Sequence, residues 1–265
     1  MLYFVATPIG NLKDVTLRAI ETLNMVDEIA CEDTRHSLTL LNALNVKKPL
    51  FSYHKFNEKE SGEKIIEKLK NGKNIAVISD AGMPVISDPG NVLVNLLIEN
   101  GLEYTVIPGA SAFTSALVLS GFDSQRFTFL GFLPEKLSQK KNLIEGYKKL
   151  DSTLIFYSAP HDVKNYLEFL FNELGDRKIA LVKEITKIHE KVILTSLKEG
   201  IDFEPKGEFV ILVAGYDKEE EFKNLSLEEH VQKYIASGLS KKEAIKKVAK
   251  ERNLPKSSLY KYTIN

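Results

Sequence analysis

Four short segments concentrate residues able to bind or activate a ligand, and each follows an apolar run that reads as a β-strand. The densest is SDAGMPVISDPG at 79–90, after IAVI. A carboxylate such as Asp80 suits a ribose hydroxyl or a cationic group, while Asp88, just before Pro89, suits the N-cap of the next helix. CEDTRHS at 31–37 packs Glu32, Asp33, Arg35 and His36 into one turn. Charge at that density beside a buried strand is costly unless it pairs internally or serves a ligand, and the planar fork of Arg35 matches phosphate oxygens. VATPIGN at 5–11 lets backbone approach a ligand closely at Pro8 and Gly10, although a plain tight turn uses the same residues. VIPGASAFTSAL at 106–117 turns at Pro108 and Gly109 and brings Ser111 to a helix start, where free N–H groups hold a polar ligand edge or are simply capped. YHKFNE at 53–58 adds His54, Lys55, Asn57 and Glu58 after another strand-like run.

Several chemistries find no support. There is no GxGxxG fingerprint for a dinucleotide and no GKS or GKT for a phosphate loop. No GxSxG or Ser-His-Asp order stands out. His36, His54 and His189 are too scattered for a metal, and the single Cys31 offers no thiolate cage, so no metal is expected. In an apolar run, Cys31 reads as a small core residue.

Strands and helices alternate through the first half: LYFVAT, EIACED, PLFSYH, IAVISDA and EYTVIP are separated by amphipathic stretches. That rhythm predicts a largely parallel sheet covered by helices, with the segments above at the C-terminal ends of its strands, where open α/β sheets bind ligands. After GFDSQ at 121–125 a second α/β set begins. The predicted organisation is an N-terminal α/β domain over 1–120, a C-terminal α/β domain over 121–217, a charged linker at 217–224 and a basic helical tail over 225–265. Ser226 and Ser240 sit at N-cap positions, and Ser240 with Glu243 forms a capping box. Ile245, Val248, Ala249, Leu254 and Leu259 form an apolar seam, in a helix, turn, helix order that fits either a helix-turn-helix or a docking tail with a solvated basic face.

The composition, 43% hydrophobic and 27% charged over 265 residues, is that of an ordinary globular protein with no apolar run of bilayer-spanning length. The N-terminus has no basic region of the signal-peptide kind, and one cysteine suits a reducing compartment, so a cytoplasmic location is expected. The formal net charge of zero is uneven. Residues 237–265 hold eight Lys and Arg against Glu243 and Glu251, a net +6, so attraction to a polyanion is local to the tail.

VATPIGNLKDVTLRA, CEDTRHS, SDAGMPVISDPG, VIPGASAFTSAL, GFLPEK, LIFYSAPH and KEITKIHEK occur in this order over residues 1–215. Together they make the chain resemble the bacterial ribosomal RNA small-subunit methyltransferase I family of the tetrapyrrole methylase superfamily. The resemblance implies two α/β domains with S-adenosyl-L-methionine in the cleft between them, and a homodimer. It also implies 2′-O-methylation of a cytidine ribose in the decoding region of 16S rRNA, on free RNA or on the small subunit. By position, the cofactor would meet Pro8, Ile9 and Gly10, then Asp80, Gly82 and Met83, then Ser111 and Ala112, with Ala159 and the region of Gly207 closing over it. A general base would be Asp33, Glu32 or His54. Arg35, Lys55, Asn57 and His161 would face RNA, as would Lys241, Lys242, Lys246 and Lys256 of the tail. The chain departs from the family pattern at Ser158, Asp162 and Phe56, where Glu, Arg and His are usual. The alternatives are a corrin or sirohaem-precursor methylase of the same superfamily, opposed by the missing GxGPGDP opening, a non-catalytic ribosome-assembly factor that binds RNA, and a nicotinamide-dependent oxidoreductase, opposed by the missing fingerprint.

Overall fold

Short runs of Leu, Val and Ile build the first sheet: β1 (Leu2–Val5), β2 (Glu28–Cys31), β3 (Leu50–Ser52), β4 (Ile75–Ile78) and β5 (Tyr104–Ile107). In the computed structural model, which describes residues 1–217 and 225–259, they lie in the order β3-β2-β4-β1-β5. Every pairing is parallel. All four residues of β4 are buried, as expected of a central parallel strand covered on both faces. Alternate residues divide between the faces. Leu2, Phe4, Ala30, Ile75 and Val77 pack on α3 (Glu58–Lys70) and α4 (Asn91–Glu99) through Ile65, Leu69, Leu93 and Leu97. Val5, Ile29, Cys31, Ala76 and Ile78 pack on α1 (Leu17–Met25) and α2 (Thr34–Ala43) through Ala19, Leu23 and Leu41. Cys31 is a buried core residue, as its surroundings in sequence predict.

The second sheet holds β6 (Phe127–Phe132), β7 (Thr153–Ser158), β8 (Lys178–Lys183), β9 (Lys191–Ser196) and β10 (Phe209–Val213), in the order β6-β7-β10-β8-β9. Only β6 and β7 are parallel, so this sheet is mixed. One face is covered by α6 (Leu137–Glu145) and α7 (Val163–Leu174). The other is covered by α5 (Ala112–Ser120), which buries Ala116 and Leu117 against Ile155, Ala180, Val182, Val210 and Leu212. Phe113 stacks on Phe129 at 4.5 Å between ring centres. Helix α5 thus belongs by sequence to residues 1–120 and by packing to the second sheet. Gly121, left-handed at φ 68°, ends it and turns the chain into β6. Both sheets fall in one compact unit, residues 1–148 and 152–214.

Residues 149–151 and 215–265 form the other unit. Here α8 (Leu227–Ala236) and α9 (Lys241–Glu251) each open with a complete capping box, Ser226 with Glu229 and Ser240 with Glu243. Val231, Tyr234, Ile245, Val248, Ala249 and Leu259 bury together. Leu254, expected in this seam, is instead 37% exposed, because the chain has left the helix at Arg252. His230 is fully buried, with Glu251 Oε2 at 3.2 Å from its Nε2 and Arg252 Nε donating to its Nδ1. From residue 218 onward the expected charged linker lies outside the described residues, as does Lys261. Among the described residues no helix is long and apolar enough to cross a membrane.

Removing the α9 cap by Ser240→Ala should destabilise this helical unit by about 1 kcal/mol. The check is faster native-state amide exchange along α9, with exchange in β4 unchanged.

Candidate functional site

The loops at the C-terminal edge of the first sheet are tied together before any ligand is considered. Thr7, just after β1, and Gly82, after β4, exchange backbone hydrogen bonds of 2.8 and 3.2 Å, and the Thr7 hydroxyl donates to the Ser79 carbonyl. Gly82 sits at φ +86°, and a Cβ there would come within 3.2 Å of Ile9 Cγ2. The chain then passes through Val85 at φ 76° and Ser87 at φ 67°, left-handed positions that ordinary residues avoid and that cost on the order of 1–3 kcal/mol each. Gly90 at φ +141° completes the loop, and a Cβ there would sit 2.6 Å from Val85 Cγ2.

This contorted path corrects the expectation for Asp88. Helix α4 starts at Asn91 with Gly90 as its N-cap and no side-chain cap, and the Gly90 N–H is taken by Glu58 Oε1 at 2.7 Å. Asp88 is thereby released from capping and lines a cavity of about 510 Å³. That volume is in the range of small-molecule sites.

The cavity draws on both sheets of the unit. From the first come Ile9, Glu32, the 80–88 loop, Ser111 and Ala112; from the second come Phe132, residues 157–160 after β7, Val182, Ile185 and Glu208. Its charged lining residues are the carboxylates Glu32, Asp80, Asp88 and Glu208, with the Tyr157 phenol, raised by burial, also in the wall and no lysine or arginine among the lining residues. Burial pushes the Asp88 carboxyl up to about 6; a hydrogen bond with Ser79 opposes this, and the charges of Glu32 and Asp80 add to it. Burial likewise raises the Glu32 carboxyl, with Asp80 reinforcing and His54 opposing the shift. Such a site disfavours anions and suits a cation flanked by apolar surface.

The structure brings together some of the expected residues and not others. Ile9, Glu32, Asp80, Gly82, Met83, Ser111, Ala112 and Ala159 all line the cavity, and Ser111 is the N-cap of α5 without spending its side chain on that helix. Pro8, Gly10 and Gly207 do not line it. Gly10, at φ +144°, lies under the stem of Lys187, and Gly207, at φ +81°, lies against the Glu184 side chain. Their neighbours Ile9 and Glu208 reach in instead. Lys187 bonds to Glu184 at 2.9 Å and to Glu208 at 2.8 Å, holding that edge in place.

Asp33 does not face the cavity, which argues against it as a base. Its carboxylate caps α2, accepting from the N–H groups of Arg35 at 2.8 Å and His36 at 3.3 Å, and the Arg35 backbone bond above all holds it below the usual carboxylate range. Arg35 is 94% exposed and approaches Asp33 only at 4.0 Å. His54 is close enough to Glu32 to act on its charge, and its Nδ1 is buried and lacks a hydrogen-bond partner among the described residues. Asn57 spends its amide internally, accepting from the His54 N–H and donating to the Ser52 carbonyl, so it offers little to an RNA contact. Lys55 is exposed. His161 is exposed, 3.5 Å from Asp162, and Ser158 is buried in the cavity wall with its hydroxyl on the Ala159 carbonyl. Lys241, Lys242, Lys246 and Lys256 are exposed on the helical unit. Among the described residues no three His, Cys, Asp or Glu side chains converge as a metal cage. Sequence reasoning missed Asp88 and Glu208. The proximity of Asp80 and Asp88 in one Gly- and Pro-rich loop was a signal for the first, and the second adjoins Gly207, whose region the resemblance implied without singling out Glu208.

Residues 1–200 match the family described as Tetrapyrrole (Corrin/Porphyrin) Methylases. The chain is 46% identical to a Bacillus subtilis (strain 168) protein named Ribosomal RNA small subunit methyltransferase I, over 98% of its own length and 92% of that protein. The chain belongs to the ribosomal RNA small subunit methyltransferase I family. A member from Haemophilus influenzae is 43% identical over 99% of this chain and 95% of its own. Among solved structures, diphthine synthase superimposes with a TM-score of 0.64 at 17% identity, over 84% of this chain and 94% of that one. The methyltransferase CobJ gives 0.62 at 18% identity, over 81% and 93%. These two share the fold, and the family match over residues 1–200 identifies it as that of the tetrapyrrole methylases. The three departures from the family pattern noted in the sequence separate by position: Ser158 is in the cavity wall, Asp162 is beside His161, and Phe56 is at the surface.

An acid whose folded-state carboxyl is raised loses folding stability as pH climbs from its unfolded value toward the folded one. Asp88→Asn should therefore melt at a higher temperature than the wild type at pH 7, and the difference should shrink as the pH is lowered to 4.5. An Asn variant less stable than the wild type at pH 7 would mean that Asp88 is not held in an unfavourable, buried position.

Proposed function

We propose that this member of the family methylates the 2′-hydroxyl of a cytidine ribose in the decoding region of 16S rRNA, with S-adenosyl-L-methionine as methyl donor. The carrying observation is a largely apolar cavity at the C-terminal edge of a parallel sheet whose charged lining residues are all carboxylates. The donor fits that lining. Asp80, Asp88 and Glu208 suit its sulfonium and ammonium charges, Ile9, Met83 and Val182 offer apolar surface for its base, and the open N-terminus of α5 at Ser111 and Ala112 presents backbone N–H groups to a polar edge. When bound, the donor supplies an electrophilic methyl carbon. Everything else falls to the protein: alignment of the acceptor oxygen, exclusion of water and removal of one proton.

Glu32 is the residue we assign to that proton. It lines the cavity, its carboxyl is raised toward the range useful to a base, and His54 bears on its charge. Asp33 is occupied by its helix. Arg35 and Lys55, exposed near this edge, would meet flanking phosphates, and the lysines of the helical unit would add salt-sensitive affinity without reading sequence. His161 remains available at the surface of the turn after β7. A homodimer is consistent with α5, which leaves Val118 78% exposed on its outer side, and the free, buried Cys31 accords with a cytoplasmic location.

Mapping ribose methylation in 16S rRNA from cells with and without the gene should show one cytidine that loses its methyl group; an unchanged 16S map would refute the assignment. In vitro, Glu32→Gln should lower kcat by roughly 10²- to 10⁴-fold while calorimetric affinity for S-adenosyl-L-methionine stays close to that of the wild type. Donor affinity itself should weaken as pH falls through about 6, where Asp88 takes up a proton and ceases to attract the sulfonium. Asp88→Asn should bind weakly across the whole pH range.

A further inference from the structure

On the turn that follows β3 stands an aromatic ring that the fold does not use. Phe56 is 94% exposed, whereas the next most exposed Phe or Tyr among the described residues, Phe132, is 56% exposed and lines the cavity. Its position is not loose. The turn His54–Asn57 is closed by the Asn57 N–H on the His54 carbonyl at 2.9 Å and by the His54 N–H on Asn57 Oδ1 at 2.8 Å. Tyr53, buried at the start of the turn, donates its N–H to the Cys31 carbonyl at the end of β2 and its hydroxyl to Glu58, which also holds Gly90 of the Asp88 loop. The turn is thus fixed to two of the loops that form the cavity. The ring of His54 meets that of Phe56 at 6.1 Å and 67°, which braces Phe56 from one side.

The charges around it are of both signs, and they differ in how they are held. The carboxylates nearby are engaged: Asp33 with the α2 N–H groups, Glu58 with Tyr53 and Gly90, and Glu60 with Lys64 at 2.6 Å. Lys55 and Arg35 are exposed. A rigidly presented, exposed aromatic ring, with exposed Lys55 on the same turn and exposed Arg35 on the helix that follows β2, has the chemistry of a stacking platform for single-stranded nucleic acid, in which a base lies on the ring and the phosphates lie on the cations. Bases inside a duplex have no free face to offer. We propose that Phe56 stacks an unpaired base of the RNA next to the nucleotide being methylated, with Arg35 and Lys55 on the adjoining phosphates. This rests on the RNA-substrate reading above and adds to it a requirement that the substrate be unpaired on this side.

The chain contains no tryptophan, so Phe56→Trp introduces a single fluorescent reporter at the proposed platform. Titrating that variant with a single-stranded oligoribonucleotide of the decoding-region sequence should quench its emission, and the same strand in a duplex should not. By anisotropy of the labelled single strand, Phe56→Ala and Phe56→Leu should bind roughly 5- to 100-fold more weakly than the wild type, and Phe56→Tyr within about threefold, with donor affinity unchanged in all. If the Trp variant binds the strand with its emission unaltered, or Phe56→Leu binds as well as the wild type, the stacking role is wrong while the RNA reading survives. If the wild type binds neither the strand nor small subunits, the RNA reading itself fails. Emission that responds to RNA-free ribosomal protein and not to RNA would make the platform a protein-docking site and overturn the proposal.

Discussion

Carboxylates placed side by side against an apolar wall repel one another and lose hydration, and only a cation or a proton can relieve them. Glu32, Asp80 and Asp88 are held in that position, and the raised carboxyls of Asp88 and Glu32 are its signature. The backbone that imposes it is itself unfavourable, with Val85 and Ser87 both left-handed. An arrangement that costs free energy twice persists because its surroundings over-determine it. Here the Thr7–Gly82 pairing, the Glu58 bond to Gly90 and the close approach of Gly131 to Ser87 leave the loop no other path.

The rest of the fold follows from where that loop must stand. A parallel sheet collects the ends of its strands at one edge, so the chain after β1, β2, β4 and β5 arrives beside the same space. The second sheet closes the space because α5, which leaves the first sheet's edge at Ser111, is buried against β7, β8 and β10. Helix α5 is therefore both a wall of the cavity, through Ala112, and the packing that joins the two sheets into one unit. A substitution in its inner face would reach the site through the core, without touching a ligand.

Much of this was legible in the residues because it obeys local rules. Period, strand length and turn chemistry predicted the parallel sheet. Gly82, Met83, Ser111 and Asp80 lie where strand-end turns belong, and both capping boxes of the helical unit follow from Ser and Glu three apart. What sequence could not give is competition. Asp33 and Asp88 are each a carboxylate near a helix start, and local propensity would let either cap. The structure gives the cap to Asp33 and leaves α4 to Gly90, because the left-handed residues 85 and 87 turn Asp88 toward the second sheet. Leu254 fails for a similar reason, since its place in an apolar pattern counted only while the helix continued. Glu208 enters the cavity from the residue just before β10, far along the chain, and no spacing announces that.

Segregation of charge ties the site to the proposed substrate. An RNA strand is a polyanion, and a cavity lined by carboxylates repels its phosphates as surely as it attracts a sulfonium. A ribose can enter only by its neutral hydroxyl edge, with the phosphates on either side kept outside. The exposed cations match that division. Arg35 is on the first turn of α2, two residues after Asp33, and Lys55 is on the turn fixed to the Asp88 loop, so positive charge begins near where the acidic lining stops. Reversing Arg35 to an acid would extend the repulsive region over the surface that has to hold the strand, and its effect would fall on the acceptor alone.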